Sequence, residues 1–242
     1  MMHLKNVTLF AYTGLDEPDH ISKTLKSLQH SASQVTFGAV KMIAPVGNIN
    51  DNPIASNHTH IGGIILNDLV NYIELVDTKS TDHIGYSRFF VEELVNHIDT
   101  DYCIGVQWDS SIINPDLWED GFFSFDYIGA PWPNVPYYIN RVGNGGFSMR
   151  SKRFLEISAE LTYDSFHHEY KCAPEDWFLC VKNYGYMIER GIKFADPVTA
   201  SRFSVEHPLP ENPYDRHRLE TYKSFGFHYE QNTAGMAVIH GC

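Results

Sequence analysis

The N-terminal half of the sequence alternates strand-like and helix-like segments, and this alternation restricts the possible folds more than any other feature. Residues 6–12 are rich in β-forming side chains, whereas 18–31 places Ile21, Leu25 and Leu28 at helical spacing. The same patterns predict further strands at 34–43, 72–76 and 101–108, a loop at 46–63 and an amphipathic helix at 86–98. Such alternation favours a largely parallel sheet with helices on its faces.

The composition is that of a folded protein with a sizeable core. Of 242 residues, 43% are hydrophobic and 14% aromatic, which argues against disorder over most of the chain. The formal net charge of −12 disfavours binding along a nucleic-acid backbone as the main activity, because such binding needs clustered Lys and Arg. Neither an internal repeat nor a linker interrupts the sequence, so we expect a single domain over 1–242.

Targeting signals and cysteine usage predict where the protein resides. The first residues contain a short apolar run but lack the charged region and the small-residue cleavage site of a secretory signal. No run approaches the length of about 18 apolar residues that spans a bilayer. The four cysteines form no CxxC pair, which indicates reduced thiols. We expect a cytoplasmic protein with no stable membrane insertion.

The segment VGNGGFSMRS at 142–151 carries two adjacent glycines. Gly145 and Gly146 follow Asn144, and without Cβ atoms they allow a ligand to approach the backbone closely. The residues after them read as a helix-like segment. We interpret the glycine pair as the floor of a binding pocket.

The segment PEDW at 174–177 places Glu175 and Asp176 at the start of a helical pattern. Acidic residues in a first turn also suit the helix dipole, which is the structural alternative. Adjacent helical residues point about 100° apart and would therefore take different roles. A glycine floor followed by an acidic pair is expected where a sugar lies beside a general base, and Asp176 is the preferred base.

Two predicted strands end in residues suited to binding a sugar nucleotide. In sheets of this kind, ligands bind where the strands end. Tyr12 and Thr13 follow the first strand, and Asp109 ends an apolar strand. Asp109 is a candidate ligand for a divalent cation, with a turn or helix N-cap role as the alternative. The usual Asp-x-Asp pair is absent, because Gln107 and Ser111 occupy the flanking positions.

Three further side chains have both a functional and a structural interpretation. His228, in an aromatic loop, could fold back over the site or serve as a structural hydrogen-bonder. Arg202 could bind a diphosphate or pair with Glu206. Trp132 could stack on a sugar ring or anchor the packing of a Pro-rich loop.

Together these segments resemble a glycosyltransferase-like domain family of uncharacterised function, of the GT-A type. The similarity spans most of the chain and rests on ordered motifs: DYIGAPWP (126–133), VGNGGFSMRS (142–151), PEDWF (174–178), GIKFA (191–195), ASRFSVE (200–206) and FGFH (225–228). The resemblance implies a GT-A-like, Rossmann-type α/β/α sandwich with a mixed central sheet. It divides the domain into a nucleotide-sugar-binding half, about 1–120, and an acceptor and catalytic half, about 121–242.

The resemblance also implies roles for individual residues. Asp109 would bind the metal and the donor diphosphate, His228 would complete the metal shell, and the acidic pair would supply the base. The expected donor-site residues are Tyr12, Thr13, Asp109 and Arg202, and the expected sugar or acceptor pocket comprises Trp132, Asn144, Gly145, Gly146 and Trp177. Ser110 stands where the family often has Gly, and the single Asp leaves metal dependence open.

The expected activity is transfer of a sugar from a nucleoside diphosphate-sugar to an acceptor hydroxyl, with inversion and with Mn²⁺ or Mg²⁺ assisting. A glycan, a lipid-linked sugar, a protein side chain and a hydroxylated DNA base all remain open as acceptors, so nucleic acid enters only as an acceptor. A carbohydrate-binding module without turnover and a metal-dependent phosphoesterase are the alternatives.

Overall fold

The structure is a computed structural model that describes residues 2–14, 18–44, 60–61, 64–65, 73–78, 82–163, 174–207 and 223–228. Its strands are β1 (Met2–Tyr12), β2 (Val35–Ala44), β3 (His60–Ile61), β4 (Ile64–Ile65), β5 (Ile73–Asp77), β6 (Tyr102–Val106), β7 (Ser110–Ile112), β8 (Tyr127–Gly129), β9 (Phe147–Ser151), β10 (Ser204–Val205) and β11 (Gly226–His228). Its helices are α1 (Pro18–Gln34), α2 (His83–Arg88), α3 (Lys152–Ser158), α4 (Glu175–Trp177), α5 (Tyr184–Glu189) and α6 (Pro197–Phe203).

Several helical turns of other geometry extend these helices or connect the strands. Helix α2 continues into a π-helical turn at Phe89–Glu93 and a 3₁₀ turn at Leu94–His97, and α4 continues into a π-helical turn at Phe178–Lys182. Two more 3₁₀ turns lie at Pro115–Leu117 and Asp120–Ser124.

The central sheet has six strands in the order β5-β2-β1-β6-β9-β8. Strands β5, β2, β1 and β6 are parallel, whereas β9 runs antiparallel to both β6 and β8. This arrangement confirms the predicted α/β/α sandwich with a mixed central sheet. The carboxyl ends of β1 and β6 lie side by side, so the segments that follow these two strands meet at one edge of the sheet.

A smaller sheet, ordered β10-β11-β7, carries the end of the chain back to this edge. Strand β11 is antiparallel to β7, with His228 directly opposite Ser110, and it is parallel to β10. A short C-terminal strand is therefore held between two partners, beside the turn that follows β6.

Apolar side chains at helical spacing bury one face of α1 against the sheet. Ile21, Leu25 and Leu28 are all buried, and each such side chain contributes about 1.5–3 kcal/mol when removed from water. The predicted strands and helices in this half are present, with ends displaced by a few residues. Most of the predicted loop at 46–63 lies outside the described residues.

The helix-like segment predicted to follow the glycine loop is α3, and it is preceded by a strand that the sequence analysis did not assign. Phe147–Ser151 forms β9, and α3 begins only at Lys152, where the Ser151 hydroxyl accepts a hydrogen bond from the Phe154 amide. All five residues of β9 are buried, so the strand lacks the alternation of apolar and polar residues that would have identified it.

Close packing against β6 yields a test of the sheet. A Cβ atom added at Gly105 would lie 2.9 Å from the ring of Phe10, which is too close for either group to remain in place. We expect Gly105→Ala to lower the free energy of unfolding by about 1–3 kcal/mol in urea titrations. Gly121→Ala, which meets open space, is the matched control, and equal stability of the two variants would contradict this packing.

Candidate active site

Asp109 and His228 meet where β6 ends. Asp109 lies in the turn between β6 and β7, and His228 ends β11 opposite Ser110. The distance from His228 Nε2 to Asp109 Oδ1 is 3.5 Å, and both side chains are largely buried. The structure thus brings together the two residues predicted to hold a metal, and it places Asp109 in a turn and not at a helix N-cap.

A second carboxylate, from Glu206, faces the other side of the imidazole. Glu206 follows β10, and its Oε1 lies 3.4 Å from His228 Nδ1. Burial lowers the pKa of His228, but the nearby carboxylates of Asp109 and Glu206 outweigh burial and raise this pKa to about 10. At neutral pH, with no metal ion bound, the imidazole is therefore protonated and lies as a cation between two carboxylates.

We call the cluster of Asp109, Glu206 and His228 the histidine centre. Side-chain hydrogen bonds tie it to the loop that carries Asn144, Gly145 and Gly146, which we call the Gly-Gly loop. Asn144 Nδ2 donates to Glu206 Oε2 at 2.8 Å, and the Gly146 amide donates to Asn144 Oδ1 at 3.1 Å. The Ser110 hydroxyl donates to the carbonyl oxygen of Gly146 at 2.8 Å. The loop and the turn that carries Asp109 therefore hold one another in place.

The two glycines make room for side chains of the site itself. A Cβ atom at Gly146 would overlap the imidazole ring of His228, and one at Gly145 would overlap the carboxylate of Glu175. The absence of Cβ atoms therefore lets β11 and α4 pack against the loop. The role of the two glycines as the floor of a sugar pocket stays a prediction.

The acidic pair lies on the other side of the loop, and its two carboxylates differ in environment. Glu175 is 3% exposed and pairs with Arg150 Nη2 at 3.2 Å. Asp176 is half-buried and accepts hydrogen bonds from the amides of Gly145 at 3.0 Å and Trp177 at 2.7 Å. Burial and the adjacent Glu175 charge raise the pKa of Asp176 to about 7.

Trp177, which directly follows the acidic pair, packs against Trp132. The rings of Trp132 and Trp177 are 5.8 Å apart at 48°, and both residues are half-buried. Trp132 packs over Gly143, where a Cβ atom would overlap its ring. The loop that follows Trp132 carries Tyr137 and Tyr138, which are 80% and 88% exposed and were not predicted as site residues.

A pocket of about 460 Å³ opens at the carboxyl end of β1. It is lined by Tyr12, Thr13, Gly14, His20, Asp82, His83, Tyr86, Gln107 and Trp108. Thr13 Oγ1 lies 3.0 Å from His20 Nδ1, and Gln107 Nε2 donates to the Tyr86 hydroxyl at 2.7 Å. The predicted donor residues Tyr12 and Thr13 thus line a pocket together with Trp108, which directly precedes Asp109 in the sequence.

Arg202 lies apart from these groups. It is exposed on α6 and donates two hydrogen bonds to Glu119, from Nε at 2.8 Å and from Nη2 at 3.1 Å. The alternative pairing with Glu206 is wrong, because Glu206 contacts Asn144 and His228. The structure does not bring Arg202 to the histidine centre, and its donor role stays a prediction.

Glu206 and Arg150 are the site residues that the sequence analysis did not assign. Glu206 ends the motif ASRFSVE and follows a buried strand, so a carboxylate in that position resembles Asp109 after β6. Arg150 lies within the buried run of β9. The available signals were a charged residue inside a strand-like run for Arg150 and a carboxylate directly after an apolar residue for Glu206.

Asp109 and His228 stay the predicted ligands of a divalent cation, whose shell substrate and water would complete. No group of three or more His, Cys, Asp or Glu side chains that could hold a metal occurs among the described residues. Asp109 Oδ1 is nevertheless buried without a hydrogen-bond partner in this part of the chain, close to an imidazole nitrogen. One or two protein ligands, with phosphate oxygens and water, are typical of Mg²⁺ sites.

The fold is that of the GT-A-type glycosyltransferases. A galactosyltransferase, LgtC, solved with donor and acceptor sugar analogues, is 11% identical with a TM-score of 0.50, covering 97% of this chain and 95% of its own. A glycosyltransferase involved in glycosylation of the major capsid of PBCV-1 is 13% identical with a TM-score of 0.50, covering 98% and 99%. At such low identity these similarities show the fold alone.

The chain belongs to the family described as "Protein of unknown function (DUF5672)", which matches residues 70–228. This range includes Asp109, the Gly-Gly loop, the acidic pair and His228. The comparison with curated proteins gave no match. Within the described segments, every helix is too short or too polar to cross a bilayer.

The contact between Gly146 and His228 gives a direct test of the site geometry. We expect Gly146→Ala to displace the imidazole, because the added methyl group occupies its position, and to shift the ¹H–¹⁵N imidazole signals of His228. Gly185→Ala, in α5 with open space around it, should leave these signals unchanged. Unchanged His228 signals in Gly146→Ala would contradict the contact.

Proposed function

We propose that the protein transfers a sugar from a nucleoside diphosphate-sugar to an acceptor hydroxyl. The observation that carries this proposal is the position of one glycine loop between two chemically different groups. Asp109 and His228 lie on one side of it, and the Asp176 carboxylate, with its pKa raised to about 7, lies on the other. A site for a diphosphate and its cation thus adjoins a candidate general base.

On the donor side, the pocket at the end of β1 is the proposed site for the nucleoside. Tyr12 and Thr13 line it, and so does Trp108, which directly precedes Asp109 in the sequence. Asp109 and His228 would hold Mn²⁺ or Mg²⁺, which when bound neutralises charge on the leaving diphosphate. Glu206 orients His228 from the opposite ring nitrogen, as carboxylates commonly do for metal-binding histidines.

On the acceptor side, Asp176 is the better placed of the two carboxylates. Glu175 is buried in its pair with Arg150, whereas Asp176 is half-buried. Asp176 removes the proton from the acceptor hydroxyl as its oxygen attacks the anomeric carbon, and the bond from that carbon to the diphosphate oxygen breaks. A single displacement of this kind inverts the anomeric configuration, and Asp176 ends the step protonated.

The aromatic surroundings of Asp176 favour a glycan as the acceptor. Trp177 follows the proposed base directly and packs beside Trp132, and Tyr137 and Tyr138 are exposed on the same loop. Aromatic rings of this kind offer flat apolar faces with polar edges, which suit the faces of sugar rings. Nucleic acid enters the proposal only as a hydroxyl-bearing acceptor. A single-domain, cytoplasmic enzyme remains the prediction from the sequence.

Replacing the proposed base tests the reaction. We expect Asp176→Asn to lower transfer by a factor of about 10²–10⁴, the usual contribution of general base catalysis, while nucleotide-sugar binding by calorimetry stays unchanged. Since the base acts as a carboxylate, the wild-type rate should fall as the pH drops below about 7. Asp116→Asn, exposed in a 3₁₀ turn, is the control.

Three outcomes of that assay would contradict the proposal. Full activity of Asp176→Asn would remove the assigned base. Release of phosphate from simple esters without sugar transfer would indicate a phosphoesterase, and sugar binding without turnover of any nucleotide sugar would indicate a carbohydrate-binding module.

The role of Glu206 is tested by metal binding, independently of transfer. We expect Glu206→Gln to weaken Mn²⁺ binding in the presence of UDP or GDP by about 10–100-fold, as loss of an orienting carboxylate does elsewhere, measured by electron paramagnetic resonance. Glu189→Gln, exposed at the end of α5, should bind Mn²⁺ as the wild type does. Equal affinity of all three proteins would contradict this role.

A further inference from the structure

A buried ion pair lies beneath the Gly-Gly loop. Arg150 of β9 and Glu175 of α4 approach to 3.2 Å, with side chains only 1% and 4% exposed. Such a pair contributes little net stability relative to apolar residues of the same volume, because both charges lose their hydration. A role in stability alone therefore does not account for it.

The guanidinium of Arg150 is held firmly by its surroundings. It lies over the ring of Phe90 at 4.9 Å and near the ring of Tyr127 at 5.5 Å, and its Nε donates to Ser148 Oγ at 3.4 Å. These contacts come from the π-helical turn after α2, from β8 and from β9 itself. These contacts position the cation beside Glu175, while its Nη1 is buried without a hydrogen-bond partner among the described residues.

Gly145 connects this pair to Asp176. A Cβ atom at Gly145 would overlap the Glu175 carboxylate and would lie 3.3 Å from Arg150 Nη2 and 3.4 Å from Asp176 Cβ. The amide of the same glycine donates to Asp176 Oδ2. A displacement of Arg150 or Glu175 would therefore move both the loop and the carboxylate that the loop holds.

The electrostatic groups around Asp176 come from several elements. They are Glu175 on its own helix, Arg150 on β9, Tyr86 on α2, Tyr127 on β8 and Cys180 on the π-helical turn after α4. Burial raises the pKa of the tyrosines and of the thiol, so these three groups are neutral near pH 7. Arg150 and Glu175 remain as the charged members of this set.

We infer that Arg150 and Glu175 are positioning residues, which hold Asp176 against Gly145 and together set the charge that its carboxylate experiences. Glu175 disfavours the ionised form of Asp176, whereas Arg150 and the Gly145 amide favour it. The role of Asp176 as base rests on the proposed function, but its position and charge do not. In this assignment Glu175, one of the two candidate catalytic carboxylates, acts through its neighbour and does not touch the acceptor.

The test is a titration of the Asp176 carboxyl carbon by ¹³C NMR in protein labelled at aspartate, with the signal assigned by its loss in Asp176→Asn. We expect Glu175→Gln to lower the midpoint by about one pH unit, because it removes a neighbouring negative charge. Arg150→Met should raise the midpoint by a similar amount, and the double variant should lie between the two. Arg153→Met, exposed on α3, should titrate as the wild type does.

Arg150→Met leaves a carboxylate buried without its partner and is the variant most at risk of unfolding. Glu175→Gln and the double variant avoid that problem, so Glu175→Gln alone decides the outcome. A wild-type midpoint in Glu175→Gln overturns the inference, since a merely structural pair would leave it unchanged. The titration needs no substrate, so shifted midpoints in a protein that transfers no sugar would contradict only the proposed function.

Discussion

The site depends on close packing around a backbone segment without Cβ atoms. Strand β11 brings the His228 ring onto Gly146, and α4 brings the Glu175 carboxylate onto Gly145. Because side chains at these two positions would separate the elements, the glycines allow a histidine from the end of the chain and an acidic pair from its middle to lie on opposite sides of one loop. The hydrogen bonds of Asn144 then fix the loop relative to Glu206.

Charge is arranged differently on the two sides of this loop. His228 lies between Asp109 and Glu206, and their carboxylates favour its cationic form. Asp176 lies beside Glu175, which disfavours its anionic form. The imidazole of His228 therefore stays protonated near neutral pH while no metal is bound, whereas Asp176 can gain or lose a proton there. The second property is the one that the proposed general base requires.

Much of the fold could be predicted from the sequence, because α1 and the parallel strands follow simple apolar periodicities. Strand β9 could not, since burial on both faces removes the alternation that marks a strand. In the site, Asp109 and His228 were recognisable as a polar residue after an apolar strand and a histidine after glycine. Glu206 was not, because its role depends on the pairing of β10 with β11, which no local pattern encodes.

The short strand β11 has a consequence for how the protein acquires its site. Asp109 is positioned by β6 in the central sheet, whereas its imidazole partner arrives on a three-residue strand near the end of the chain. During synthesis, a ribosome that has exposed the whole central sheet has not yet delivered His228. The proposed cation and diphosphate site can therefore form only after the central sheet has been synthesised, which separates folding of the sheet in time from the onset of the proposed chemistry.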